Sequence, residues 1–216
     1  GNTTGAIDIS AYKFNAKGGV GQPDWVELVD IPDDYRGAFG RDDPERGAKY
    51  AAQVDRAVAA LADRGHRPAG FIAETFPSVG GQIIPPDGYL KGVYERIRAA
   101  GGICIADEVQ TGLGRLGTHY FAFEAQGVVP DIVVLGKPIG NGHPLGVLIT
   151  TPEIAAAFAK GPEFFSTFGG STLSCRVGKT VLDIVDDEGL MQNAAEMGEQ
   201  LMSGLKKLQQ QYDIIG

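Results

Sequence analysis

Three charged side chains follow three short apolar segments of the sequence. Glu74 follows residues 70–73, Asp107 follows residues 103–106, and Lys137 comes one glycine after residues 132–135. Ligands of open α/β sheets bind beyond the carboxyl ends of the strands. If the three segments are neighbouring parallel strands, two carboxylates and one amine meet at that edge. The alternative for each residue is an ordinary solvated loop charge.

Lys137 stands in a turn that keeps bulky groups away from its amine. Gly136 precedes it, and Pro138, Gly140 and Gly142 follow it. A lysine that condenses with a carbonyl group needs such room, so this turn favours a nucleophilic amine. An ordinary surface lysine in a glycine-rich turn is the alternative.

Two other ligand types fit the sequence less well. The adjacent carboxylates of Asp107 and Glu108 could bind magnesium, but neither a phosphate loop nor a third ligand accompanies them. Gly112 and Gly114 imitate part of a dinucleotide-binding fingerprint, but they do not open a long helix. The prediction is therefore a site without a metal.

The elements that must position these residues alternate between strands and helices. Apolar spacing predicts a helix over residues 44–64 with Asp43 as its cap, and a helix over 88–100 capped by Asp87. Further helices are predicted over 152–159, 174–186 and 190–210, and a short aromatic helix around residues 120–123. Residues 4–10 favour a short strand. The alternation predicts an α/β domain with a mostly parallel sheet and flanking helices.

The fourth strand of the predicted sheet, residues 145–150, differs from the others. Only nine residues separate it from Leu135. A parallel crossover needs a dozen residues or more, so this strand is predicted to run antiparallel to its neighbour.

Composition excludes several function classes. The chain has 216 residues, 43% of them hydrophobic, and a formal net charge of −8. This charge argues against nucleic-acid or anionic-membrane partners, and no apolar run reaches the ~20 residues of a membrane span. The two cysteines, Cys104 and Cys175, cannot form a disulfide framework. That fits the cytoplasm or another reducing compartment.

In three stretches the sequence resembles the class III aminotransferases: residues 104–117 (CIADEVQTGLGRLG), residues 131–137 (DIVVLGK) and Asn141-Gly142. Residues 167–170 (TFGG) also resemble the Thr-Phe-x-Gly segment of the family, and the resemblance covers nearly the whole chain. It implies fold type I, the cofactor pyridoxal 5′-phosphate (PLP), an amine or amino-acid substrate and a homodimer.

The resemblance also assigns a role to each matching residue. It implies that Lys137 forms the Schiff base with PLP and that Asp107 pairs with the pyridine nitrogen. Val109 would pack on the ring face, Gln110 would reach the ring hydroxyl, and Thr167 would bind the cofactor phosphate of the neighbouring subunit. In this family, a glutamate at the position of Glu74 pairs with a substrate-binding arginine further along the chain.

A subgroup of the family shares further segments with this sequence. Residues 73–78 (AETFPS), 136–144 (GKPIGNGHP) and 12–15 (YKFN) resemble the ethanolamine-phosphate and hydroxylysine-phosphate phospho-lyases. Those enzymes eliminate phosphate instead of transferring an amino group, so both reactions remain open. Lys13, Arg115 and His143 are the residues expected to bind a substrate phosphate.

The resemblance predicts a partial domain. Residues 1–216 correspond to the middle of the large PLP-binding domain. The loop that binds the cofactor phosphate within one subunit is expected upstream of this range, and the small domain downstream of it. A piece without catalytic activity of its own is therefore a third alternative.

Overall fold

The computed structural model describes residues 3–215, and their packing divides into two compact units. Unit 1 comprises the chain up to Phe71 together with Ile83–Cys104, and unit 2 comprises Ile72–Gln82 together with the chain from Ile105 onward. Lys13 belongs to unit 1. Every other residue predicted to form the site belongs to unit 2.

Unit 1 is built around two packed helices. Its helices are α1 (Thr4–Asp8), α2 (Ala11–Phe14), α3 (Arg46–Asp63) and α4 (Tyr89–Ala99). Tyr50 and Val54 of α3 and Val93 of α4 are almost completely buried. The helices α3 and α4 approach closely because glycine faces the partner: a Cβ on Gly92 would lie 2.8 Å from the Cβ of Ala51.

Two local predictions in unit 1 are wrong. Residues 4–8 form the helix α1 and not a strand, because the Thr3 side chain accepts a hydrogen bond from the N–H of Ala6 and caps the helix. Asp87 does not cap α4, since Gly88 holds the cap position with a φ of 79°. Asp43 does bind a backbone N–H, that of Glu45 at 2.9 Å, but the helix α3 begins only at Arg46.

A mixed sheet of four strands runs in the order β1-β2-β3-β4. The strands are β1 (Gly70–Glu74), β2 (Ile103–Asp107), β3 (Ile132–Leu135) and β4 (Val147–Thr150). β2 and β3 pair in parallel, and β3 and β4 pair antiparallel with Ile132 opposite Thr150. The short connection after β3 therefore reverses the chain direction, as predicted.

The helices of unit 2 follow the strands. They are α5 (Ala122–Ala125), α6 (Pro152–Phe158), α7 (Thr172–Asp187) and α8 (Leu190–Gln211). Ala106, Phe123, Val133 and Leu135 form the core of this unit, and Val181 of α7 packs against them. None of the helices within residues 3–215 is long and apolar enough to cross a membrane.

Candidate functional site

Backbone hydrogen bonds align the carboxyl ends of β1, β2 and β3 at one edge of the sheet. The N–H of Thr75 donates to the carbonyl of Asp107 at 3.1 Å, and the N–H of Glu108 donates to the carbonyl of Val134 at 3.0 Å. Glu74, Asp107 and Lys137, which the sequence places just past the ends of three strands, thus come to the same edge.

Asp107 is half-buried at this edge, and its electrostatic surroundings include both other charges. Burial raises the pKa of the Asp107 carboxyl above its ordinary value of 3.8, and the nearby carboxylate of Glu74 raises this pKa further. The N–H of Val109, which donates to Oδ1 of Asp107 at 3.0 Å, and the ammonium group of Lys137 lower the pKa in part. Asp107 would therefore gain from a cationic hydrogen-bond donor placed beside it.

Lys137 opens a 3₁₀ turn (Lys137–Ile139) directly after β3 and is exposed. Its φ of 36° lies in the left-handed region, which is unfavourable for a residue with a Cβ. The turn nevertheless fixes this backbone, because the carbonyl of Lys137 accepts hydrogen bonds from the N–H groups of Gly140 and Asn141, both at 3.2 Å. Strain of this kind occurs often at functional sites.

Val109 places an apolar side chain beside the lysine turn. A Cβ on Gly136 would lie 3.4 Å from both γ carbons of Val109, so the Val109 side chain lies next to the glycine that precedes Lys137. Val109 therefore connects the two charged residues: Asp107 comes two positions before it in the sequence, and the turn that carries Lys137 lies next to its side chain. Gln110, the next residue, is exposed.

Glu74 is bound within its own loop. Its Oε2 accepts hydrogen bonds from the N–H groups of Ser78 at 2.7 Å and Val79 at 3.1 Å. The loop that follows β1 is therefore folded around this carboxylate, which fixes the negative charge near Asp107.

Glu108 is the most deeply buried charged residue of the site, and its structural role was not predicted. Its side chain is 0% exposed and accepts hydrogen bonds from Thr75 Oγ1 at 2.9 Å and Thr111 Oγ1 at 2.6 Å. It also accepts from the backbone N–H groups of Ala122 at 3.1 Å and Phe123 at 3.0 Å. The sequence signal was available only in part, as an acidic pair at the end of a strand.

The carboxylates of Asp107 and Glu108 do not converge on a common ligand, because four donors already surround that of Glu108. Within residues 3–215, no group of three His, Cys, Asp or Glu side chains is close enough to bind a metal ion.

The remaining predicted residues lie in other surroundings. Arg115 is exposed in the turn after β2, and Thr167 is exposed in the segment between α6 and α7. Lys13 lies in α2 with its Nζ 5.2 Å from the ring centre of Tyr12. His143, in the loop after Lys137, shares a 2.9 Å hydrogen bond between its Nε2 and Ser174 Oγ of α7.

The family model described as aminotransferase class-III matches residues 3–216. The chain is 46% identical to alanine–glyoxylate aminotransferase 2-like from Drosophila melanogaster, over all of this chain and 44% of that protein. It is 38% identical to ethanolamine-phosphate phospho-lyase homolog 1 from Caenorhabditis elegans, over all of this chain and 49% of that protein. The chain therefore belongs to the class III aminotransferase family, and it spans about half the length of these relatives.

Solved structures support the same assignment. A phospholyase from Arthrobacter in complex with phosphoethanolamine matches 97% of this chain and 49% of its own, with a TM-score of 0.88 and 36% identity. A PLP-bound amine transaminase from an uncultivated Pseudomonas species matches 99% of this chain and 49% of its own, with a TM-score of 0.85 and 32% identity. The predicted α/β fold of type I is thereby confirmed.

Proposed function

We propose that the protein is a PLP-dependent class III enzyme that transfers an amino group from an amine or amino acid to a keto acid. The observation that carries this proposal is the common edge at which Asp107, Val109 and Lys137 lie. This edge offers a half-buried carboxylate with a raised pKa, an apolar side chain and a lysine in a fixed, strained turn. These three groups suit a flat pyridine ring that carries a positive charge.

Each residue at this edge has a distinct task toward the cofactor. Lys137 would bind PLP through its Nζ, and Asp107 would keep a proton on the pyridine nitrogen. Val109 would support the face of the ring, and Gln110 would reach the ring hydroxyl. Thr167 would bind the cofactor phosphate of a neighbouring subunit.

PLP, when bound, withdraws electrons from the carbon that carries the substrate amine. The protein must then move protons at that carbon. The substrate amine would displace the Nζ of Lys137 from the cofactor, and the freed amine of Lys137 would then take up the proton from that carbon and return it. The carboxylate of Asp107 would hold a proton on the pyridine nitrogen, because a negative group beside that nitrogen stabilises its protonated, positively charged form.

Chemical labelling tests this proposal. Purified protein is mixed with PLP, reduced with borohydride and digested, and the peptides are mapped by mass spectrometry. We expect the label on Lys137 and not on Lys160 or on Lys179, whose amine is paired with Asp183 at 2.7 Å. Labels spread over several lysines would contradict the proposed site. A chain without any PLP absorbance would support the third alternative, a piece that needs the rest of the protein.

A second function, phosphate elimination from an amino-alcohol phosphate, is favoured by two observations. The segments 73–78 and 136–144 resemble the phospho-lyase subgroup, and the relatives above include a phospho-lyase homolog and a phospholyase that binds phosphoethanolamine. Of the three side chains proposed to bind a substrate phosphate, Arg115 is exposed and His143 is bonded to Ser174.

The two reactions differ in what they consume. A phospho-lyase should release inorganic phosphate from phosphoethanolamine or phosphorylated hydroxylysine without any keto acid. A transaminase should need pyruvate or 2-oxoglutarate and release no phosphate. The assay is run with the whole protein, with each substrate, in the presence and absence of each keto acid. Strict dependence on the keto acid would exclude the lyase reaction.

A homodimer is part of the proposal, because Thr167 serves the site of a neighbouring subunit. Large apolar side chains around Thr167 are exposed, which supports a protein interface there. Their exposed fractions are 72% for Phe164, 80% for Phe165 and 85% for Phe168. Light scattering of the whole protein should give twice the monomer mass, and Phe165→Ser together with Phe168→Ser should lower it.

The proposal also covers the position of this chain within the whole protein and the cellular compartment of that protein. We place residues 1–216 in the middle of the large PLP-binding domain, so the remaining cofactor and substrate contacts would come from flanking segments. A cytoplasmic or other reducing location agrees with free thiols at Cys104 and Cys175. Fractionation of cells that express the whole protein tests the location.

A further inference from the structure

The carboxylate of Glu108 joins three segments that are far apart in the sequence. Thr75 belongs to the loop after β1, Thr111 to the turn after β2, and the N–H groups of Ala122 and Phe123 to the start of α5. The group is fully buried, and in the described part of the chain each of its two oxygens accepts two hydrogen bonds. Glu108 thus connects all three segments to the end of β2, directly after Asp107.

Both oxygens of Glu108 must accept hydrogen bonds. Oε2 takes the N–H of Ala122 and Oε1 takes the N–H of Phe123, and a backbone N–H cannot act as an acceptor. A glutamine of the same shape would turn its NH₂ group toward one of these N–H groups and leave it unpaired. The position therefore requires a carboxylate and not merely a polar side chain.

The same network borders the Asp107 backbone on both sides. The N–H of Thr75 donates to the Asp107 carbonyl at 3.1 Å, while its hydroxyl donates to Glu108. After Glu108, the N–H of Gly112 returns to the Glu108 carbonyl at 2.9 Å, which closes the turn that begins at Val109. Displacement of the Glu108 side chain would therefore shift the peptide that carries the Asp107 carboxylate.

We propose that Glu108 is the positioning residue of Asp107: its buried carboxylate, bound by Thr75, Thr111 and the first N–H groups of α5, fixes the end of β2 so that the Asp107 carboxylate meets the cofactor ring. This inference rests on the proposed function, since the ring is the ligand that Asp107 serves. Glu108 itself contacts neither substrate nor cofactor.

Two variants remove parts of the network in the whole protein. Glu108→Gln keeps the shape and breaks one backbone hydrogen bond, and Thr111→Val removes a single donor and keeps the carboxylate. We expect PLP affinity to fall about tenfold in Glu108→Gln, as for partners that orient metal ligands, and by a smaller factor in Thr111→Val. The pH midpoint of the visible absorption of the PLP-loaded protein should also shift, more in Glu108→Gln than in Thr111→Val.

Glu124→Gln is the matched control. Glu124 also accepts a backbone hydrogen bond at the start of α5, from the N–H of Phe121 at 2.9 Å, but it is exposed and has no described bond to the residues around Asp107. We expect PLP affinity and the pH midpoint to stay at their wild-type values in this variant.

A double-mutant cycle separates positioning from general destabilisation. If Glu108 acts through Asp107, Thr111→Val should lower PLP affinity in the wild type but not in the Asp107→Asn background. An equal loss in both backgrounds would overturn the proposal, and so would wild-type affinity and midpoint in Thr111→Val. Should Glu108→Gln fail to fold, the Thr111→Val cycle still decides. Absence of PLP binding by the wild type would overturn the proposed function and this inference with it.

Discussion

Asp107 and Glu108 are consecutive residues whose carboxylates have separate sets of hydrogen-bond donors. Asp107 is half-buried and accepts from the N–H of Val109, whereas Glu108 is fully buried and accepts from two threonine hydroxyls and two backbone N–H groups. The carboxylate of Asp107 is thus available to a ligand, whereas that of Glu108 is fully used in hydrogen bonds within the protein.

Asp107→Asn should stabilise the cofactor-free protein at neutral pH. Burial raises the pKa of Asp107, so its folded form favours the protonated carboxyl. The stability that this gives is fully present below pH 3.8 and is lost as the pH rises through the raised pKa. Asparagine keeps the acceptor for Val109 and carries no charge. The unfolding free energy of the variant, measured with urea, should therefore exceed that of the wild type at pH 7, and the difference should shrink toward pH 4.

The same substitution should impair the whole enzyme. If Asp107 serves the pyridine nitrogen as proposed, loss of its charge should lower turnover of the whole protein by at least about 100-fold, which is roughly 3 kcal/mol of transition-state stabilisation. A variant that gains stability and keeps its turnover would show that Asp107 does not serve the cofactor. A pH-independent stability difference would show that burial of its charge is not the cause.

The strands of unit 2 could be predicted from the sequence because their signals are local. β3 has the predicted bounds, and the nine residues between Leu135 and the predicted fourth strand were enough to infer the antiparallel pairing. Helix ends were less predictable. The hydroxyl of Thr3 caps a short helix at residues 4–8, where a strand was expected, and the left-handed backbone of Gly88 replaces the expected cap at Asp87.

The residues of the sheet edge could likewise be predicted, whereas their supporting contacts could not. Position after a strand end singled out Glu74, Asp107 and Lys137. The hydrogen bonds of the buried Glu108 come from donors 33 positions before it, at Thr75, and 15 positions after it, at Phe123. Such contacts arise only when the chain folds, and no local pattern encodes them.

The backbone of Lys137 is strained, and a pair of substitutions can measure this strain. Its φ of 36° costs an L-residue with a Cβ more than it costs glycine. Lys137→Gly and Lys137→Ala both remove the amine, but the glycine variant should be more stable by about 1 kcal/mol in urea unfolding. Neither variant should retain the borohydride label. Equal stabilities would mean that the turn relaxes without cost.

Close packing of α3 and α4 in unit 1 makes Gly47 intolerant of any side chain. A Cβ at this position would lie 2.2 Å from the carbonyl oxygen of Asp87, so the backbone must move. Gly47→Ala should cost about 2 kcal/mol or more of unfolding free energy. Gly198→Ala in α8 is the control, because a Cβ there meets nothing within 4 Å. Helix propensity predicts that it stabilises by about 1 kcal/mol, and a reversed order in urea unfolding would contradict both assignments.

The hydrogen bond between His143 and Ser174 connects the lysine turn to the first turn of α7. The N–H of His143 also donates to the carbonyl of Gly140 at 2.9 Å, so a displaced histidine would loosen the segment that begins at Lys137. Ser174→Ala should lower the unfolding free energy by about 1 kcal/mol and reduce the yield of borohydride label at Lys137. The neighbouring exposed Cys175→Ala is the control and should change neither value. Normal stability and normal labelling of Ser174→Ala would contradict this role of the hydrogen bond. His143 would then be tested for its alternative role, the binding of a substrate phosphate. In that case His143→Asn should raise the KM for phosphoethanolamine.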